Sequence, residues 1–244
     1  MTKKIYRFIF IVFLTAVFLN ESQSQPTFGT RSFITSDKGA FTIYSKGAQT
    51  SLLVSSGDWP GVIRAFTDLQ NDIGKVTSSI PVLSADKIPK SKDIIIAGTI
   101  GRSELINNLI KNKKIDVTDI EGKWETFLIQ VVEKPFRGVS RALVIAGSDK
   151  RGTIFGIYEI SRQIGISPWY WWSDVPVIHK NALYALPGRY VQGSPSVKYR
   201  GIFLNDEAPD LTNWIRYKYG SVPPRENPPM PSNVANYGHE FYTR

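Results

Sequence analysis

The chain contains no cysteine in 244 residues. Disulfides, thiolate nucleophiles and cysteine-type zinc sites are therefore all excluded. Histidine is almost as scarce, with only His179 and His239. His239-Glu240-Phe241-Tyr242-Thr243 opens like a zinc-protease helix, but Thr243 stands where the second histidine would have to be. No metal centre and no cofactor is expected. No Gly-x-Ser-x-Gly elbow is present, so a serine triad lacks its usual support. No internal repeat is visible, and no apolar run reaches the ~20 residues of a membrane-spanning helix.

The longest apolar run lies at the N-terminus, from Ile9 to Leu19, and follows Lys3, Lys4 and Arg7. A basic segment, a short apolar segment and small polar residues describe a secretory signal peptide, with cleavage at Ser22-Gln23-Ser24. Residues 1–24 are assigned to it; an uncleaved N-terminal anchor is the alternative. No cysteine adjoins the run, which excludes a lipoprotein signal. The expected location is exported, periplasmic or extracellular, with no stable membrane insertion. Without disulfides, such a protein must draw its stability from its core.

The net charge is +9. The signal segment carries three cations against Glu21, which leaves about +7 on the remainder. That bias suits nucleic acid or an acidic polysaccharide equally well. The basic residues are scattered, export argues against nucleic acid, and Lys111-Asn112-Lys113-Lys114 reads as a solvated helix end. A hydrophobic content of 42% permits a sizeable core.

Phe41–Tyr44 and Ser51–Val54 read as short strands with a turn between them. Asp58 is placed to cap a helix starting at Trp59-Pro60, whose apolar face is Val62, Ile63, Phe66, Leu69 and Ile73, with Gly74 as its end. Asp93–Gly98 is a continuous apolar run, as in a strand buried on both faces. A short helix is expected over 101–110. Trp124–Val132 and Arg141–Ala146 form a hairpin around Pro135–Gly138. A further helix follows Ser148-Asp149-Lys150-Arg151-Gly152, with Ile154, Ile157, Ile160 and Ile164 on one face and Gly165 at its end. These elements predict an α/β chain whose first part, residues 25–190, is α+β with a mixed sheet and packed helices. Pro187, Gly188, Gly193 and Pro195 punctuate the passage to a second part, residues 191–244. Pro223–Pro231, with its five prolines, reads as a loop or semi-rigid linker.

Four places have the residues for chemistry. In Tyr199–Leu204 followed by Asn205-Asp206-Glu207-Ala208-Pro209, an apolar run stops at an amide and two carboxylates. A buried barrel strand delivers polar groups to a site mouth in this way. On a regular strand Asn205 and Glu207 share one side and Asp206 takes the other. At most one of them then serves as an acid or base, the others hydrogen-bonding sugar hydroxyls; helix capping by Asp206 or Glu207 is the alternative. Trp169-Tyr170-Trp171-Trp172 offers flat faces for interface packing or for sugar stacking. Ser148–Gly152 either holds an anion or is simply capped by Asp149, and the cap is favoured. The His239 segment fails as a metal motif for the reason given.

Asp149 to Ser161, followed by Ile164 to Pro176, resembles the N-terminal domain of glycoside hydrolase family 115, the xylan α-1,2-glucuronidases. Lys198 to Pro209 resembles the first strand of that family's catalytic barrel, and Tyr237–Tyr242 the start of its first barrel helix. The resemblance implies an accessory domain followed by the first strand and helix of an incomplete (β/α)8 barrel. It implies inverting hydrolysis of (4-O-methyl)glucuronic acid α-1,2-linked to xylan, with glucuronoxylan or aldouronic acid oligosaccharides as partners. It makes Asn205, Asp206 and Glu207 substrate-binding residues, Asp206 and Glu207 foremost, and Trp169 a weaker one. Residues 198–244 number 47 against the ~250 of a barrel. The general acid and base are accordingly expected beyond residue 244, and the 244 residues alone are expected to be inactive. The competing expectation is a non-catalytic carbohydrate-binding module that uses the Trp169–Trp172 aromatics.

Overall fold

The computed structural model describes residues 32–38, 41–170, 173–201, 210–221, 225–226 and 229–230. The chain divides into two compact units. One is Met1–Ser167 with Pro176–Pro195, and the other is Pro168–Val175 with Ser196–Arg244.

The first unit is built on a six-stranded mixed sheet. Its strands are β4 (Ser51–Val54), β5 (Leu83–Ala85), β6 (Asp93–Thr99), β7 (Phe127–Glu133), β8 (Arg141–Gly147) and β10 (Arg189–Gln192), in the order β10-β7-β8-β6-β4-β5. β5, β4, β6 and β8 run parallel, whereas β7 pairs antiparallel with β8 and with β10. The β7–β8 pair is the expected hairpin. Asp93 and Arg141 lie opposite each other in the β6–β8 register, and the Arg141 Nε donates to Asp93 Oδ1 at 3.1 Å. The ion pair pins the start of two adjacent strands.

Both faces of the sheet are covered, so its central strands are apolar at successive positions. Helices α1 (Pro60–Thr77) and α3 (Lys150–Ile164) pack on each other and cover one face; α2 (Glu104–Lys111) lies on the other. Beneath α2, Ile106 and Leu109 join Leu53, Ile94, Ile96, Leu128, Val144 and Ala146 in one buried cluster, closed by Ile115, Val117 and Ile120. On the α3 side a close approach is required. A Cβ on Gly152 would stand 2.2 Å from the Thr126 carbonyl oxygen, so only glycine lets the first turn of α3 rest on the start of β7.

A second, antiparallel sheet has the order β1-β9-β2-β3, from β1 (Ile34–Thr35), β2 (Phe41–Ser45), β3 (Ala48–Gln49) and β9 (Leu183–Ala185). Here the structure refines the expectation. Residues 41–45 and 51–54 do not pair with each other; they enter different sheets, and β2 takes its partner from 140 residues downstream.

The helix boundaries also depart from expectation in places. Trp59, not Asp58, is the N-cap of α1, and it has no side-chain cap bond. Gly74 does not end the helix, which continues to Thr77 and stops at Ser78 in the left-handed region. The returning chain explains Gly74, because a Cβ there would meet the Ile80 side chain at 2.7 Å. The α3 boundaries agree with expectation. Asp149 Oδ1 accepts from Gly152 N at 2.7 Å, and Gly165 closes the helix at φ 114°, where a side chain would be strained. Lys111–Lys114 is exposed, as expected of a solvated helix end.

In the second unit the described elements are α4 (Asp210–Tyr219) and a small hairpin of β11 (Arg225–Glu226) with β12 (Pro229–Met230). The proline-rich loop thus contains two short paired strands. Ile215 is fully buried, with Leu211, Trp214 and Tyr219 packed on it. Residues 198–201 carry no strand; the rest of the predicted barrel strand and the predicted helix at 237–242 lie outside the described residues.

Candidate functional site

Of the predicted site residues, Trp169 is described, whereas Asn205, Asp206 and Glu207 lie outside the described residues, as do Trp171 and Trp172. Trp169 sits in the loop Pro168–Val175, which leaves the first unit after Ser167 and returns to it at Pro176. The loop belongs to the same compact unit as Ser196–Arg244, the stretch that contains Asn205, Asp206 and Glu207.

Proline at 168 and the polar Ser173-Asp174 favour a turn here over a helix. Ser173 N donates to the Trp169 carbonyl at 2.8 Å and closes a turn over the aromatic stretch. Asp174, at φ 50°, accepts from Lys218 Nζ at 2.9 Å, which ties the loop to α4. The same ammonium lies 5.8 Å from the Trp214 ring. Trp169 nevertheless stays 57% exposed. More than half of the indole surface is thus open to water.

The anion reading of Ser148–Gly152 is not supported by the geometry. Asp149 occupies the helix N-terminus itself, with Oδ1 on Gly152 N and Oδ2 on Glu125 N at 2.9 Å. The buried Glu125 in turn pairs with Arg151 at 3.0 Å. Among the described residues no cluster of histidine, aspartate or glutamate has the makings of a metal site, and no helix is long and apolar enough to cross a membrane.

A second polar cluster went unnoticed in the sequence. At the carboxyl ends of the parallel strands, Asp58 Oδ2 accepts from Thr99 N and Oδ1 from Trp59 N, each at 2.7 Å. The carboxylate ties the β4–α1 loop to the end of β6 and leaves Trp59 40% exposed. The Arg102 guanidinium lies 4.6 Å from the Trp59 ring centroid and Lys150 Nζ 6.0 Å from it. Each of these residues follows an apolar run, which is the one signal available in the sequence; their meeting is a product of strand order.

Comparison with known proteins places the chain. Residues 192–244 match the model of glycosyl hydrolase family 115. A solved structure, described as the novel family GH115 4-O-methyl-α-glucuronidase BtGH115A with specificity for decorated arabinogalactans, is 37% identical over 73% of this chain, with a TM-score of 0.59. No curated protein matches. The chain belongs to glycoside hydrolase family 115. It spans 22% of the length of BtGH115A.

Proposed function

We propose that these residues serve an exported enzyme that removes (4-O-methyl)glucuronic acid α-1,2-linked to xylan, with inversion. The reading is carried by the 37% identity to a 4-O-methyl-α-glucuronidase across 73% of this chain. In it, residues 191–244 open a (β/α)8 catalytic barrel. Asn205, Asp206 and Glu207 bind substrate at the end of its first strand, and Trp169 stacks on a sugar from its tethered loop. Glucuronoxylan and aldouronic acid oligosaccharides are the substrates, residues 1–24 direct export, and the site is periplasmic or extracellular.

An inverting glycosidase needs a general acid and a general base about 6.5–9.5 Å apart across the scissile bond. Neighbouring carboxylates on one strand do not meet that geometry, so Asp206 and Glu207 are assigned binding, and the acid and base belong to parts of the enzyme outside these 244 residues. By this reading the 244 residues alone release no glucuronic acid.

The test is a product assay on the enzyme that contains this sequence, with glucuronoxylan and with decorated arabinogalactan as substrates. Release of 4-O-methylglucuronic acid from the xylan, lowered by Asp206→Asn and by Trp169→Ala, is the expected result. Release from arabinogalactan alone would move the substrate to that named for BtGH115A. A second reading, a carbohydrate-binding module, draws on the exposure of Trp169. It predicts xylan affinity without hydrolysis, surviving removal of residues 191–244.

A further inference from the structure

We propose that the accessory sheet carries a second acidic-saccharide site, formed by Trp59, Arg102 and Lys150 at the carboxyl edge of its parallel strands. The proposal rests on the glucuronidase reading for the identity of the saccharide.

The place is set by topology. From β4 the chain crosses through α1 to β5 on one side; from β6 it proceeds through α2 and β7 to β8 on the other. Between β4 and β6 the direction of winding reverses, and at such a point the loops after neighbouring strands diverge and leave a crevice in which α/β sheets bind ligands. Trp59 comes from the loop after β4, Arg102 from the loop after β6, and Lys150 from the start of α3 after β8.

The chemistry is set by charge. Arg102 and Lys150 are exposed, and neither has a carboxylate partner among the described residues. Elsewhere on this unit Arg141, Arg151, Arg162 and Arg189 are paired with carboxylates, whereas Arg64 and Arg137, like Arg102, form no ion pair among the described residues. Of the carboxylates at this edge, Asp58, Asp86 and Asp149 all accept from backbone N–H groups, and none forms an ion pair with Arg102 or Lys150. What remains is one exposed indole with two cations beside it that make no ion pair among the described residues. A guanidinium over an aromatic ring keeps its N–H donors for an acceptor. A pyranose offers C–H faces to the indole, and a uronic acid adds the carboxylate that both cations would meet. A neutral sugar satisfies only the ring. The occupant is therefore a uronate-bearing oligosaccharide.

The test uses the 244-residue chain carrying Trp169→Ala and Asp206→Asn, which silences the other site. Calorimetry compares a xylo-oligosaccharide bearing one 4-O-methylglucuronic acid with the undecorated oligosaccharide and with AMP. The acidic oligosaccharide is expected to bind about tenfold more tightly than the neutral one, with the preference lost in Arg102→Gln/Lys150→Gln and all binding weakened at least about tenfold by Trp59→Ala. Circular dichroism verifies folding, and the double glutamine variant, confined to exposed side chains, keeps the test valid if Trp59→Ala unfolds. No binding of the acidic oligosaccharide, equal binding of the neutral one, tighter binding of AMP, or indifference to the double variant would each overturn the site. Hydrolysis by the full enzyme without binding here leaves the glucuronidase reading standing and sinks this one; binding here with no hydrolysis by the full enzyme does the reverse.

Discussion

The two units solve different problems with the same alphabet. In the first, side chains from both faces of a six-stranded sheet vanish under helices, and Phe41, Phe66 and Phe127 are wholly enclosed. In the second, Ile215 alone is buried among the described residues, while Trp169, Tyr199 and Tyr217 stand in solvent. Lacking disulfides, the chain has to put its stability where apolar area is removed from water, which is the sheet. The second unit packs Trp214 and Tyr219 on Ile215 and leaves Trp169, Tyr199 and Tyr217 exposed. Stability rests on the first unit, and substitutions in the two units should differ in what they cost.

The largest effect is expected from Phe127→Ala. Phe127 is fully buried between β7 and α3, against Gly156 and the Tyr190 ring at 6.1 Å. A loss of about 3–5 kcal/mol is expected, read from the urea midpoint. A loss under about 1 kcal/mol would mean that the sheet is not where the stability lies. Gly152→Ala should follow at about 1–3 kcal/mol, since the added methyl meets the Thr126 backbone and not a side chain that is free to turn. Asp149→Ala is next. It removes the α3 cap together with the acceptor of Glu125 N, worth about 0.5–2 kcal/mol.

How much of this was open to inspection in the sequence follows from how local each cause is. The α3 boundaries were legible because Asp149 and Gly165 act within one turn of their own helix. The β7–β8 hairpin was legible for the same reason, and β6 because burial on both faces leaves an unbroken apolar run. Asp58 was misread as a helix cap because its true partner, Thr99 N, lies 41 residues away. Gly74 was misread as a stop because the obstacle, Ile80, arrives only after the helix has ended. β10 was read as punctuation between Pro187 and Pro195, although it pairs with β7 some 60 residues earlier. In the candidate sites, the aromatic run at Trp169 was legible only as two alternatives, interface packing or sugar stacking. The Trp59–Arg102–Lys150 cluster was not, because no local pattern joins three loops that only strand order brings together.

A smaller, pH-dependent effect should come from Asp119. Hydrogen bonding to Arg189, at 2.8 Å from Nη1, holds its carboxyl below the usual carboxylate range. A depressed native value means that the pair stabilises fully above the unfolded value of about 3.9 and loses that contribution as pH falls through the native one. Both side chains are more than a third exposed, or close to it, so solvent screening keeps the effect below about 1 kcal/mol. Asp119→Asn should flatten the stability profile of the first unit at acid pH. An unchanged profile would show that the pair is merely a surface contact.

The smallest effect on stability and the sharpest test of the comparison is Trp169→Ala. Removing an indole from a core would cost several kcal/mol, but this one is 57% exposed. The Ser173 N to Trp169 O bond is backbone, and the Asp174–Lys218 pair lies five residues on. The change in unfolding free energy should therefore stay within about 0.5 kcal/mol. If Trp169 stacks on a sugar ring, affinity for an aldouronic oligosaccharide should nevertheless fall by about tenfold, one stacked aromatic being worth roughly 0.5–1.5 kcal/mol beyond its buried area. A variant that loses stability but not affinity would reverse the assignment and make the loop part of the scaffold. One that loses affinity alone would establish that the second unit holds its aromatics in water for a ligand.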